Sequence, residues 1–77
     1  MTKTIIIRIN EGGIVRTFEV FVEPGTTSLD ILSRWGLSEY FLQDAVTNIV
    51  YPRRSDLFPL VSEGQVLEVV HESMVEQ

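Results

Sequence analysis

The 77-residue chain has no cysteine, a single histidine (His71), a single lysine (Lys3) and a single tryptophan (Trp35). Without cysteine there are no disulfides, thiolate metal sites or thiol nucleophiles. The one histidine has no thiol to activate. Long apolar runs are missing as well. The opening stretch MTKTIIIRIN holds three consecutive isoleucines before Arg8, far short of a signal-peptide core or a membrane span. A soluble protein of the cytoplasm, with no membrane partner, is the expectation. Positive charge is scarce in the last third. Beyond Arg54 there is no Lys or Arg, whereas Asp56, Glu63, Glu68, Glu72 and Glu76 follow, and the net charge is -5. Such a surface repels phosphate backbones, so nucleic acid is not an expected partner.

What is present suffices for a core. Hydrophobic residues make up 44% of the chain and the mean hydropathy is +0.16, which argues against disorder and for one domain over residues 1–77. TIIIRIN and GIVRTFEVFVE read as two strands around Gly12-Gly13, a pair suited to the positive φ angles of a two-residue hairpin loop. With that loop, Glu11 faces Ile14, Ile7 faces Phe18 and Ile5 faces Val20. Ile5, Ile7 and Ile9 then share a face with Phe18, Val20 and Val22. A three-residue loop would set Ile5 against Glu19 and mix apolar with polar positions.

EPGTTSLDILSRWG carries the clearest helix signal. Thr27 followed by Asp30 is a weaker form of the capping box, Leu29, Leu32 and Trp35 recur at helical spacing with Ile31 beside them, and Gly36 sits where a left-handed terminus is needed. LSEYFLQD is expected to form a second helical turn from Ser38. AVTNIVY reads as a third strand closed by Pro52, LFPL as a short edge strand that tolerates Pro59, and QVLEVVH as the last strand. The remaining residues, 71–77, read as a frayed tail.

Hairpin, helix, strand, short strand and strand predict an α+β domain: a mixed sheet of four to five strands with one main helix across one face. This order resembles the ubiquitin-like β-grasp superfamily. LVSEGQVLEVV is similar to the ubiquitin-type ending, and ILSRWGL, AVTNIVYPRR and LVSEGQVLEVV together are similar to the sulfur-carrier branch of the ThiS and MoaD type. The resemblance implies that the first and last strands lie side by side and parallel in mid-sheet. It also implies a C-terminal Gly-Gly for activation, because only residues without side chains thread the narrow channel of an adenylating enzyme. Here the last residues are Met74-Val75-Glu76-Gln77 and no glycine follows Gly64, so the usual carrier or modifier chemistry is not expected.

Other chemistry is thinly represented. His71 is better read as a strand-end residue than as a general base, Glu68 and Glu72 as an acidic rim, and Asp30 as a helix-start residue. The Gly12-Gly13 turn joins two strands, not a strand and a helix, so it is no phosphate loop. No catalytic residue, cofactor or metal site is assigned. The outer sheet face remains. If Ile5, Ile7 and Ile9 point inward, Thr4, Ile6 and Arg8 point outward, with Thr17, Glu19 and Phe21 beside them. On the last strand Leu67 and Val69 are inward, and Val66, Glu68 and Val70 outward. Ile6, Phe21, Val50, Val66 and Val70 are therefore the candidate partner-binding residues. Phe21→Ser or Val70→Asp is expected to spare folding and abolish binding. Arg53-Arg54 reads as a solvated turn, Trp35 as a core residue, and one of Tyr40 and Phe41 as a cover for the core.

These features predict a non-catalytic protein–protein interaction module, an adaptor or small accessory subunit, that is monomeric or a weak homodimer. The alternative is an atypical sulfur carrier or ubiquitin-like modifier without the Gly-Gly tail. A third possibility is a small protein that pairs with itself through its sheet face or edge.

Overall fold

A computed structural model of the protein describes residues 1–71; the expected frayed tail therefore lies, apart from His71, outside the described residues. The elements are β1 (Lys3–Glu11), β2 (Ile14–Val22), α1 (Ser28–Arg34), β3 (Tyr40–Asp44), a 3-10 turn (Phe58–Leu60) and β4 (Val66–His71). The four strands form one mixed sheet in the order β2-β1-β4-β3, with β1 and β4 parallel at its centre. The fold is α+β, one helix on a four-stranded mixed sheet.

The first hairpin follows from its loop. Gly12 and Gly13 have φ of 56° and 84°, the double positive φ of a turn whose twist matches the flanking strands. The register is the expected one: Glu11 pairs with Ile14, Ile7 with Phe18 and Ile5 with Val20. Ile5, Ile7 and Ile9 are buried with Val20 and Val22, whereas Phe18 keeps 38% of its surface exposed because β2 runs past the edge of the core.

Both ends of α1 are closed by sequence-local bonds. Thr27 Oγ1 accepts from the Asp30 N–H (3.1 Å) and an Asp30 carboxylate oxygen accepts from the Thr27 N–H (3.0 Å), a complete capping box. At the other end the Leu37 N–H reaches the Leu32 carbonyl (2.9 Å) and the Gly36 N–H the Ser33 carbonyl (3.2 Å), with Gly36 at φ 70°. This paired closure is the Schellman motif, and it stops the helix after seven residues. The buried stripe is Ser28, Ile31 and Leu32, with Trp35 packed against the core. Leu29, expected on that stripe, lies at its flank and is half-buried.

Three expectations between Leu37 and Leu60 are overturned. The residues from Ser38 to Asp44 do not make a second helical turn; Tyr40–Asp44 is β3, antiparallel to β4, with Leu42 opposite Val69. Once the Schellman closure has ended the helix, Tyr40 and Leu42 alternate inward while Phe41 and Gln43 face out. AVTNIVY is a turn, not a strand. The Asp44 carboxylate accepts from the N–H groups of Val46 (2.7 Å) and Thr47 (2.8 Å), and Asn48 takes φ 62°. The segment's strand-like pairing is reduced to a single bridge of Val50 opposite Gln43. LFPL is the 3-10 turn, with Pro59 at its start where a missing N–H costs nothing. Among the described residues the sheet thus has four strands, the lower of the two numbers expected.

The core is continuous from sheet to helix. Ile5, Ile7, Val22, Ile31, Leu32, Leu42, Leu57 and Leu67 have no exposed surface. The segment 51–61 closes its open end through Tyr51, Leu57 and Val61. Lys3 fastens that segment to β1. Its ammonium donates to the carbonyls of Phe58 (2.7 Å) and Val61 (2.9 Å) and lies 4.3 Å from the centre of the Phe58 ring. The chain's one lysine is therefore a structural clamp.

Candidate interaction surface: the outer sheet face and its edge

The helix covers one side of the sheet, and strand alternation sends Thr4, Ile6, Arg8 and Asn10 to the other. The strand registers arrange this outer face in rows. One row runs Glu19, Ile6 and Val66. The next runs Thr17, Arg8, Glu68, Gln43 and Val50. The row beyond pairs Val15 with Asn10 on one side and Val70 with Phe41 on the other. Phe21 stands beside Thr4 at the opposite end.

Charge divides the face. Arg8 and Glu68 form an ion pair at 3.0 Å in its middle, each side chain about one-third to two-fifths exposed (41% and 34%). Gln43 reaches the other oxygen of the same carboxylate at 3.5 Å. A partly exposed pair of this kind contributes little stability by itself. Its effect is positional: it separates the apolar groups on either side. Arg8 Nε is buried and has no hydrogen-bond partner among the described residues. Beside the pair lies a shallow concavity of about 230 Å³ between Arg8, Asn10, Val15, Gln43, Glu68 and Val70.

The five sequence-predicted residues therefore do not form one patch. Ile6 and Val66 are direct neighbours, half-buried, and Phe21 stands near them with 66% of its surface exposed. Val50 is half-buried across the ion pair, next to Gln43. Val70 corrects the expectation most sharply. It lies on the outer face, outside the core cluster, yet retains only 7% exposure opposite Phe41. A carboxylate placed there by Val70→Asp would be buried without a partner, so this substitution tests folding, not binding.

The two edges of the face differ in how they are finished. Beyond β3, the Asp44 N–H donates to the Ile49 carbonyl and the Tyr51 N–H to the Leu42 carbonyl, both at 2.9 Å. The Asp44 carboxyl is held below its ordinary value, first by the Thr47 N–H, then by the Val46 N–H, with Gln65 and the Thr47 hydroxyl adding to the effect against some desolvation. Gln65 Nε2 bonds both this carboxylate and the Tyr51 hydroxyl. Arg53, read as a solvated turn residue, is instead half-buried. It stacks 4.0 Å from the centre of the Phe41 ring and donates to the Glu39 carbonyl at 3.2 Å; Arg54 is exposed.

Beyond β2 nothing comparable is found among the described residues. Ile14, Val15, Phe18 and Phe21 are 63%, 55%, 38% and 66% exposed, so apolar surface is displayed on both sides of the edge strand. Sequence parity located Phe21 but missed Ile14 and Val15. Both lie on the edge strand, whose first six residues are all exposed. On the inner side, Phe18 meets Trp35 with ring centroids 5.2 Å apart. Trp35 is thus partly core, as expected, and partly a ledge under β2. Tyr40 packs on the core and meets His71 edge-on at 5.3 Å, while Phe41 lies outside.

Among the described residues, no helix is long and apolar enough to cross a membrane. Compared with models of protein families, with curated proteins and with solved structures, the chain matches none of them.

Proposed function

We propose that this chain is a non-catalytic protein–protein interaction module of the ubiquitin-like β-grasp type, an adaptor or small accessory subunit that binds through the outer face of its sheet. The observation that carries the reading is the half-exposed apolar pair of Ile6 and Val66, with Phe21 alongside, on the face that α1 leaves uncovered. A small apolar centre with an ion pair and polar side chains around it has the layout of a protein interface, in which a few apolar anchors contribute most of the affinity and the polar surround fixes orientation. The partly exposed Arg8–Glu68 ion pair supplies polar surface at the rim of that centre. The parallel β1–β4 centre and the order β2-β1-β4-β3 support the β-grasp reading.

The test uses N-terminally tagged protein recovered from its native host. A partner retained by the wild type should be lost with Ile6→Ser and with Phe21→Ser, and kept with Arg34→Ala, which changes an exposed side chain on the helix. Intact mass under denaturing conditions should show only the unmodified chain. Equal retention by all variants would remove the sheet face as the binding surface. A covalent adduct would replace this reading with the carrier or modifier alternative.

A further inference from the structure

The β2 edge goes beyond the sheet-face reading. It is nine residues long, contains no proline or lysine, and has only Arg16 and Glu19 as charges. Exposed edges of that length are ordinarily blunted by proline, lysine, bulges, inward charges or a covering segment; here the one charge on the helix-side face is Arg16, opposite Ile9. This one displays apolar side chains on both faces.

Its hydrogen-bonding groups are assigned by the loop. In a two-residue hairpin loop the closing residues, here Glu11 and Ile14, exchange both backbone bonds, and the pattern alternates along an antiparallel ladder. Ile14, Arg16, Phe18, Val20 and Val22 therefore turn their N–H and C=O toward β1. Val15, Thr17, Glu19 and Phe21 turn theirs away from the sheet. No backbone bond outside the ladder reaches these four among the described residues.

We propose that β2 pairs with β2 of a second copy of this chain, antiparallel about a two-fold axis through Phe18, so that two sheets join edge to edge. Phe18 is the midpoint of Ile14–Val22, so this register overlaps the whole strand. The axis stands perpendicular to the sheet, and each residue meets one of its own face. Val15 then faces Phe21, Thr17 faces Glu19, Ile14 faces Val22, Arg16 faces Val20, and Phe18 faces itself. The outward-turned residues meet one another as the hydrogen-bonded pairs, and Phe18 falls on a non-hydrogen-bonded pair, where side chains approach most closely. The large exposed apolar residues Ile14, Val15, Phe18 and Phe21 all gain an apolar partner.

Neighbouring registers fail on charge or overlap. Centring on Arg16 sets Arg16 against Arg16, and centring on Glu19 sets Glu19 against Glu19, both destabilising contacts. Centring on Thr17 places Val15 against Glu19 and Phe21 against Gly13. The occupant is a second copy because the strand complements itself in one register and in no adjacent one.

The absence of cysteine makes the register directly measurable. Phe18→Cys places two thiols on a non-hydrogen-bonded pair, with Cα atoms about 4.5 Å apart, inside the range of about 4.4–6.8 Å that a disulfide spans. Arg16→Cys places its two thiols about four residues apart along the strands, roughly 13 Å, out of reach. The wild type should convert from monomer to dimer in sedimentation as concentration rises. Val15→Lys, at an exposed position, should weaken that dimer by at least about tenfold. Phe18→Cys should form the interchain disulfide under conditions in which Arg16→Cys stays reduced. Because Phe18 touches Trp35, the folding of its variant is checked by circular dichroism; should that variant fail to fold, Val15→Lys decides. A wild type that stays monomeric overturns the proposal, as does a dimer unchanged by Val15→Lys or equal crosslinking at positions 16 and 18. Ile6→Ser leaves this edge untouched, so failure of the sheet-face reading and failure of the dimer are read separately.

Discussion

The two edges of this sheet solve the same problem in opposite ways. At β3 the chain doubles back after Asp44, and the returning segment bonds two of the strand's outward backbone groups, the Asp44 N–H through Ile49 and the Leu42 carbonyl through Tyr51, while Arg53 covers Phe41. At β2 the strand ends the sheet with its outward groups and four large apolar side chains in the open. Among the described residues the chain therefore contains the means to close an edge and applies it on one side alone. An open β2 is consistent with an edge kept for docking.

The comparison can be broken by substitution on either side. The largest effect belongs to the closed side: Leu42→Ala, at a fully buried position on β3, should cost about 2–5 kcal/mol in denaturant unfolding. Its counterpart on the open side, Val15→Ala, should stay within about 0.5 kcal/mol. Similar losses at both positions would mean that β2 is as embedded as β3.

Asp44 sharpens the contrast through pH. Its carboxyl titrates below the ordinary 3.8 because the folded turn bonds the charged form. A depressed folded value stabilises the protein above the unfolded value, and the contribution fades as pH falls through the folded one. Asp44→Asn should therefore lower the melting temperature at neutral pH, with the gap to wild type narrowing below about pH 3.8. A gap that does not change with pH would show that the carboxylate's charge plays no part in closing the β3 edge.

A smaller effect of opposite sign is expected at Ser28. Its side chain is fully buried and its hydroxyl has no partner among the described residues. Replacing it with alanine removes an unsatisfied polar atom, so Ser28→Ala should stabilise the fold by about 1 kcal/mol. Destabilisation would mean that the hydroxyl has a partner, such as a bound water.

Much of the β2 side was legible in the sequence because the interactions that shape it are local. Gly12-Gly13 determines the loop, the loop determines the register, and strand parity then places Ile6 and Phe21 outward. The capping box and Gly36 bracket α1 in the same way. The β3 side was misread where a side chain outweighed backbone propensity. AVTNIVY is rich in strand formers, yet Asp44 precedes it and bends the chain by accepting two backbone N–H groups. LFPL likewise has strand-like composition, but its placement follows from Leu57 entering the core and from the Lys3 clamp, both long-range contacts. Outward parity gave Val70 its correct face. Its burial depends on Phe41, whose strand had not been recognised, and parity alone carries no information about that neighbour.

Residue-resolved amide hydrogen exchange at low and high protein concentration tests the open edge most directly. At low concentration the N–H groups of Val15, Thr17, Glu19 and Phe21 should exchange rapidly, while that of Asp44, bonded to Ile49, is protected. At high concentration those four should become protected together, with Asp44 unchanged. Exchange at the four that does not depend on concentration, whether fast or slow, would contradict an edge that is open in the monomer and closed by a second copy.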